Sequence, residues 1–109
     1  MSEKSGLRGI GWTVCFAATL AATPSLAADA YNGRLLAFRW CQACHVVADT
    51  QTRATGEAPP FDEIAHRPGF DAAKLAMFLR DPHPKMPDMS LTTFESGDLA
   101  AYIASLAKK

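Results

Sequence analysis

The chain has 109 residues, which is enough for one small domain but not comfortably for two. Apolar residues make up 49% of it and charged residues 20%, a composition typical of globular rather than disordered proteins. Its 11 lysines and arginines balance its 11 aspartates and glutamates, so the chain lacks the basic surface expected for binding nucleic acid or an anionic membrane.

The N-terminal segment has the pattern of a secretory signal. Lys4 and Arg8 provide positive charge ahead of residues 10–22, which are almost entirely apolar or small. This apolar stretch is shorter than the about 20 residues that a membrane-spanning helix needs. The pattern therefore favours a signal peptide over a transmembrane anchor.

The end of the signal is indicated by small residues. Ser25 and Ala27 occupy the two positions that a signal peptidase inspects, so we expect a signal peptide over 1–27, cleaved after Ala27. Cleavage after Ala30 and an uncleaved tether are the alternatives. The folded domain is expected to occupy 28–109.

Two cysteines, Cys41 and Cys44, remain in that domain, because Cys15 lies in the apolar stretch and leaves with the signal. An exported domain this small normally needs disulfides, a metal or a cofactor, since its own core is marginal. A disulfide between cysteines three residues apart would close a very small loop and stabilise little. We therefore expect a bound group to complete the core.

A helical stretch over 29–43 leads into the sequence C-x-x-C-H, a c-type haem attachment site. Residues three and four apart share a face of a helix, so Cys41, Cys44 and His45 are expected to project to one side. The two thiols can then form thioethers with the two vinyl groups of a haem, and the imidazole reaches the iron. The motif predicts one covalently bound haem c whose iron is bound by His45.

Two other chemistries fit a pair of cysteines. A zinc site would need four ligands, and only His66 and His83 remain as distant candidates. A redox dithiol of the thioredoxin type needs a βαβ context, and no strand-like alternation occurs in the chain. Export, the lack of further cysteines and the small size all favour haem over these alternatives.

After the motif, residues 46–60 are rich in Thr, Asp, Gly and Pro and are predicted to form a loop. A short helix is predicted over 61–66. Asp71 is a good N-cap for a helix over 71–79. The apolar stripe of that helix comprises Leu75, Phe78 and Leu79.

Residues 81–87 contain three prolines and cannot be helical. Thr92 and Glu95 form a capping box that opens a last helix ending at about Ala107. Its predicted buried face comprises Leu99, Tyr102, Ile103 and Leu106. The chain is therefore predicted to be all-α, with three to four helices wrapped around the haem.

Five side chains are candidates for the second axial position of the iron: Met86, Met89, Met77, His66 and His83. Met77 lies within a helix and is expected to pack in the core, and His66 is expected to be a solvated residue at a helix end. Met86 lies between two prolines, which lower the entropy lost when the loop holds one sulfur against iron. Met86 is the preferred ligand, with Met89, His83 or an open position as alternatives.

Further features make the sequence similar to class I cytochrome c over nearly all of residues 28–109. The family has a glycine eight residues before the first haem cysteine, where the last helix crosses closely, and Gly33 matches it. An aromatic residue of the last helix packs at this crossing, and Tyr102 fits that place. The family commonly has an aromatic residue four before the first cysteine, where this chain has Ala37, which implies a changed packing of the terminal helices.

The resemblance also implies how the iron ligands are held. The family has a proline about a dozen residues beyond the haem histidine, whose carbonyl accepts the imidazole Nδ1–H, and Pro59 is the best match. A Met-Pro pair before the last helix is the family's distal-ligand signature, and Met86 with the following proline matches it. The implied site is therefore Cys41 and Cys44 for the thioethers, His45 and Met86 for the iron, and the Pro59 carbonyl for the imidazole.

A haem iron with both axial positions filled has no place for a substrate, so the expected function is outer-sphere transfer of single electrons rather than catalysis. We expect a periplasmic monomer that meets redox protein partners transiently, without nucleic acid and without strong membrane association. The alternatives are a five-coordinate haem protein that binds or activates a small ligand, and a fixed haem subunit of a larger oxidoreductase.

Overall fold

A computed structural model describes residues 6, 9, 11–21, 27–54, 57–81 and 85–109. These residues form four α-helices and, within the described ranges, no β-strand. The helices are α1 (Ala30–Trp40), α2 (Phe61–Ala65), α3 (Ala72–Arg80) and α4 (Thr93–Leu106). The predicted all-α class is confirmed. None of these helices combines the length and the hydropathy that crossing a membrane requires.

The last helix, α4, is the centre of the fold, because it contacts each of the other three helices. The capping box predicted at its start is present. The Thr92 N–H donates to Glu95 Oε2 at 2.8 Å, and the Glu95 N–H donates to Thr92 Oγ1 at 3.1 Å. The Thr92 N–H, with a smaller contribution from the Thr92 side chain, holds the pKa of the Glu95 carboxyl below its ordinary value.

The predicted buried face of α4 is also confirmed. Its members are at most 6% exposed and comprise Leu99, Tyr102, Ile103 and Leu106. Together with residues of α1 and α2 they form one hydrophobic core. Burial of this stripe, rather than helix propensity alone, fixes α4 in place.

The helices α1 and α4 cross at a glycine. A Cβ atom at Gly33 would lie 2.9 Å from the Tyr102 Cβ and closer still to the Asp98 carbonyl. Ala37, one turn along α1, is fully buried. The close crossing expected of Gly33 and Tyr102 is therefore present, and the alanine in place of an aromatic residue is accommodated inside the core.

The start of α1 is tied to α4 by a carboxylate. Asp98 Oδ1 accepts the backbone N–H of Asp29 at 2.7 Å, and Asp98 Oδ2 accepts the side-chain N–H of Asn32 at 2.7 Å. Asp29 in turn is the N-cap of α1, and its side chain accepts the N–H groups of Tyr31 and Asn32. The first turn of α1 is thus held by hydrogen bonds as well as by packing.

Helix α3 begins as predicted after Asp71, whose side chain accepts the Lys74 N–H at 3.0 Å. Leu75 and Leu79 pack partly against the core. The expectation that Met77 packs in the core is wrong, since its side chain is 61% exposed. Met77 is two positions along the chain from each leucine, which places it roughly 200° around the helix from them.

Replacing Gly33 by Ala should destabilise the protein by about 1–3 kcal/mol, because the new Cβ meets the backbone of α4. Chemical denaturation of the purified protein measures the loss. The matched control is Gly97→Ala in α4, where a new Cβ meets nothing within 4 Å. That control should gain about 0.5–1 kcal/mol from reduced chain entropy. Equal stability of the two variants would contradict the close crossing.

Candidate functional site

The cysteine pair lies on a tight turn that follows α1. The N–H groups of Cys41 and Gln42 both donate to the Ala37 carbonyl, at 2.8 and 3.1 Å. The N–H groups of Cys44 and His45 both donate to the Cys41 carbonyl, at 3.1 and 2.9 Å. The prediction that the helix continues to Ala43 is wrong, because the Gln42 N–H shares the Ala37 carbonyl with Cys41 and the regular i→i−4 register ends at Cys41, the C-cap of α1.

The two thiols are in different environments. Cys41 is buried, whereas Cys44 is exposed. Burial raises the pKa of the Cys41 thiol to about 11, with a smaller contribution from the nearby Cys44. At neutral pH Cys41 is therefore a neutral thiol.

The imidazole of His45 is buried and held by a backbone carbonyl. His45 Nδ1 lies 2.6 Å from the Pro59 carbonyl oxygen. Because a carbonyl can only accept, Nδ1 carries the hydrogen and Nε2 keeps the lone pair that a metal ion requires. The Phe61 ring packs against the imidazole, with 5.1 Å between the ring centroids. This is the His45–Pro59 contact that the family resemblance implies.

The chain beyond His45 is pinned to the core although it has no regular structure. The Val46 carbonyl accepts the Phe61 N–H at 3.0 Å. Val47 is fully buried, and its carbonyl accepts the Tyr102 hydroxyl at 2.6 Å. Burial raises the pKa of Tyr102, so the phenol remains a hydrogen-bond donor. The turn that carries the cysteines is thereby joined to both α2 and α4.

The sequence did not predict two of the groups that hold this loop, the Tyr102 hydroxyl and the Gln51 side chain. The Tyr102 hydroxyl could have been anticipated, because a buried tyrosine normally finds a hydrogen-bond partner for its OH. Gln51 could not, since it is one polar residue in a loop of polar residues. Its side chain contacts backbone groups on both sides of His45.

Two of the three methionine candidates lie on the segment between α3 and α4, whereas Met77 lies within α3. The two on that segment, Met86 and Met89, are both partly buried. His83 lies outside the described residues. His66 is exposed at the end of α2, with Nδ1 2.8 Å from the Asp62 carbonyl, which agrees with its expected place. The structure brings Cys41, Cys44, His45 and Pro59 together, whereas Met86 stays a prediction as an iron ligand.

The residues fit a covalently bound haem. The turn offers two thiols for thioethers and one imidazole whose Nε2 lone pair can bind iron. The chain also exposes apolar surface that the flat, apolar haem could cover. No residue of α3 is buried, the Phe78 side chain is 50% exposed and the Trp40 side chain is 43% exposed. Among the residues that the structure describes, no three His, Cys, Asp or Glu side chains form a metal-ion cluster of the kind that zinc would need.

Replacing Tyr102 by Phe should cost about 1–2 kcal/mol of unfolding free energy, since the buried Val47 carbonyl loses its donor. The matched control is Tyr31→Phe, because that tyrosine is 69% exposed. The control should change stability by less than about 0.5 kcal/mol. Thermal or denaturant unfolding of both variants checks the difference, and equal behaviour would mean that the Tyr102 hydroxyl does not hold the loop.

A known protein is similar to this chain over nearly its full length. The chain is 51% identical over 100 residues to cytochrome c-552 of Bradyrhizobium diazoefficiens, a match that covers 92% of this chain and 94% of that protein. No protein-family model matches the chain, and no solved structure matches it significantly. An identity this high over nearly the full length shows common ancestry and a common fold. The chain therefore belongs to the small c-type cytochromes, which carry a covalently bound haem c with its iron.

Proposed function

We propose that this cytochrome is an exported single-electron carrier whose haem iron is bound by His45 and Met86. The observation that carries the proposal is the hydrogen bond from His45 Nδ1 to the Pro59 carbonyl, directly beyond the two thiols. It fixes the tautomer of the imidazole and raises its basicity as an iron ligand. The second axial ligand, the export and the carrier role belong to the same proposal.

Haem supplies a one-electron iron couple, and the protein sets its potential, its access and its docking. His45 is 7% exposed and is flanked by the buried Phe61, so this side of the site is rigid and largely free of water. A rigid, dry environment holds the site in the same geometry in both oxidation states. That property suits electron transfer more than binding and conversion of a substrate.

Met86 is the distal ligand that the chain supports best. Its side chain is partly buried in a segment with no regular structure, and a proline follows it directly. Proline restricts the loop, so less entropy is lost when the loop presents a sulfur atom. A thioether also raises the reduction potential of haem iron. Met89, three residues further on and also partly buried, is the alternative.

Export is supported by the separation of the N-terminal segment from the fold. The side chains of Trp12, Phe16 and Leu20 are 87–94% exposed and add nothing to the core. Cleavage after Ala27 would keep Asp29, which caps α1 and donates to Asp98. Cleavage after Ala30 would remove this cap. The proposed location is the periplasm, with the mature chain beginning at Ala28.

The proposed partners are redox proteins that bind transiently to the monomer. Complexes of this type are small and weak, which allows fast exchange between donor and acceptor. The nearly balanced charge of the chain gives no strong preference for an acidic or a basic partner surface.

Replacing Met86 by Ala should leave haem attached but open one axial position of the iron. The variant should lose the near-infrared absorption band of iron–thioether bonding, bind carbon monoxide when reduced and have a lower reduction potential. Met77→Ala is the matched control, since that side chain is 61% exposed. Loss of the band in Met89→Ala rather than in Met86→Ala would transfer the ligand role to Met89. A wild type that lacks the band would favour a five-coordinate haem protein.

The exported wild-type protein should have the mass of a chain that begins at Ala28 plus one haem. Intact-mass spectrometry of the periplasmic protein measures both quantities at once. In Asp29→Ala the start should be unchanged, but the helix cap is lost and stability should fall by about 1 kcal/mol. A mature chain that begins at Tyr31 would contradict the proposed processing site.

A further inference from the structure

The side chain of Gln51 bridges the two ends of the haem-binding turn. Its Oε1 accepts the Val47 N–H at 2.9 Å. Its Nε2 lies 2.8 Å from the Gln42 carbonyl oxygen and 2.9 Å from the His45 carbonyl oxygen. A third carbonyl, that of Arg53, lies 2.7 Å from the same nitrogen. One side chain therefore contacts backbone groups before, at and after the residue that carries the imidazole.

Two of these groups, the Val47 N–H and the His45 carbonyl, need partners because they belong to buried residues outside any helix. Residues 46–48 have no regular structure, and Val47 is fully buried. A buried N–H or carbonyl without a partner costs about 1–3 kcal/mol. Tyr102 satisfies the Val47 carbonyl and Phe61 satisfies the Val46 carbonyl. Gln51 takes the remaining contacts, the Val47 N–H and the His45 carbonyl.

Only a side-chain amide can make this set of contacts. Oε1 must face the Val47 N–H, which turns the two hydrogens of Nε2 toward the carbonyls, and two of the three carbonyls share one hydrogen. A glutamate at this position would place a charged oxygen against those carbonyls. A leucine of similar size would satisfy none of the backbone groups. The site therefore requires both the length and the chemistry of glutamine.

We propose that Gln51 is a positioning residue for the haem iron, which fixes the backbone of His45 and thereby the rotation of its imidazole about the bond to iron. The proposal rests on the proposed function, because it needs His45 as the iron ligand. Pro59 holds the imidazole at Nδ1, and Gln51 holds the backbone to which the imidazole is attached. The imidazole is thus restrained both at its ring and at the backbone from which it extends, and loss of either contact leaves it freer to rotate.

The test compares Gln51→Leu and Gln51→Glu with a matched control in the haem-loaded protein. The control is Asn32→Leu, which also removes a side-chain amide but one that donates to Asp98 at the start of α1. The main readout is the set of haem methyl proton resonances of the oxidised protein, because their spread reports the orientation of the axial imidazole. A second readout is hydrogen exchange of the Val47 amide.

Both Gln51 variants should show a changed spread of haem methyl resonances and a shifted reduction potential. Exchange of the Val47 N–H should be about tenfold faster in Gln51→Leu, since that group loses its acceptor. Asn32→Leu should lose stability but keep the resonances and the potential of the wild type. A purely structural role for Gln51 would lower stability without moving either haem signal.

Wild-type haem resonances in both Gln51 variants would overturn the proposal. Failure of both variants to accumulate with haem, while Asn32→Leu accumulates, would also overturn it, because a positioning residue is dispensable for folding. A failure of the proposed function is distinguishable from these outcomes. In that case the wild type itself would lack the spectrum of a haem bound by histidine and methionine.

Discussion

The structure depends on one hydrogen bond, from the buried imidazole of His45 to the carbonyl of Pro59. It forces the proton onto Nδ1 and leaves Nε2 as the ligand atom. The bond can form only if the loop after the motif returns to the turn that carries His45. That return is secured by the Phe61 N–H on the Val46 carbonyl and by Tyr102 on the Val47 carbonyl.

The helices matter because they place the partners of this bond. Gly33 lets α1 approach α4 closely, which brings the end of α1, and so the cysteine turn, beside the face of α4 that carries Tyr102. Asp98 holds the first turn of α1 to the same helix. Helix α2 adds Phe61, whose ring packs against the imidazole and lies edge-on to Tyr102 at 6.5 Å between centroids. The side of the site that holds His45 is thus built from α1, α2 and α4 together.

Paired cysteines occur in haem, zinc and redox dithiol sites, and the C-x-x-C-H motif by itself fits all three. In the part of the chain that the structure describes, no three His, Cys, Asp or Glu side chains form a cluster that could hold a zinc ion. The relative from Bradyrhizobium, cytochrome c-552, matches the chain over nearly its full length. The ancestry of the chain therefore identifies the cofactor as haem c.

The sequence determined the helical class, the caps at Asp71 and Thr92, the buried stripe of α4 and the haem-binding motif, because each is a local pattern of spacing and residue chemistry. Only the tertiary structure decided that α1 stops at Trp40, that Met77 faces outward and that Gln51 joins both sides of His45. These features depend on which backbone groups are buried without a regular partner. Which groups are buried depends on how segments distant in the sequence pack together, and no short stretch of sequence specifies that packing.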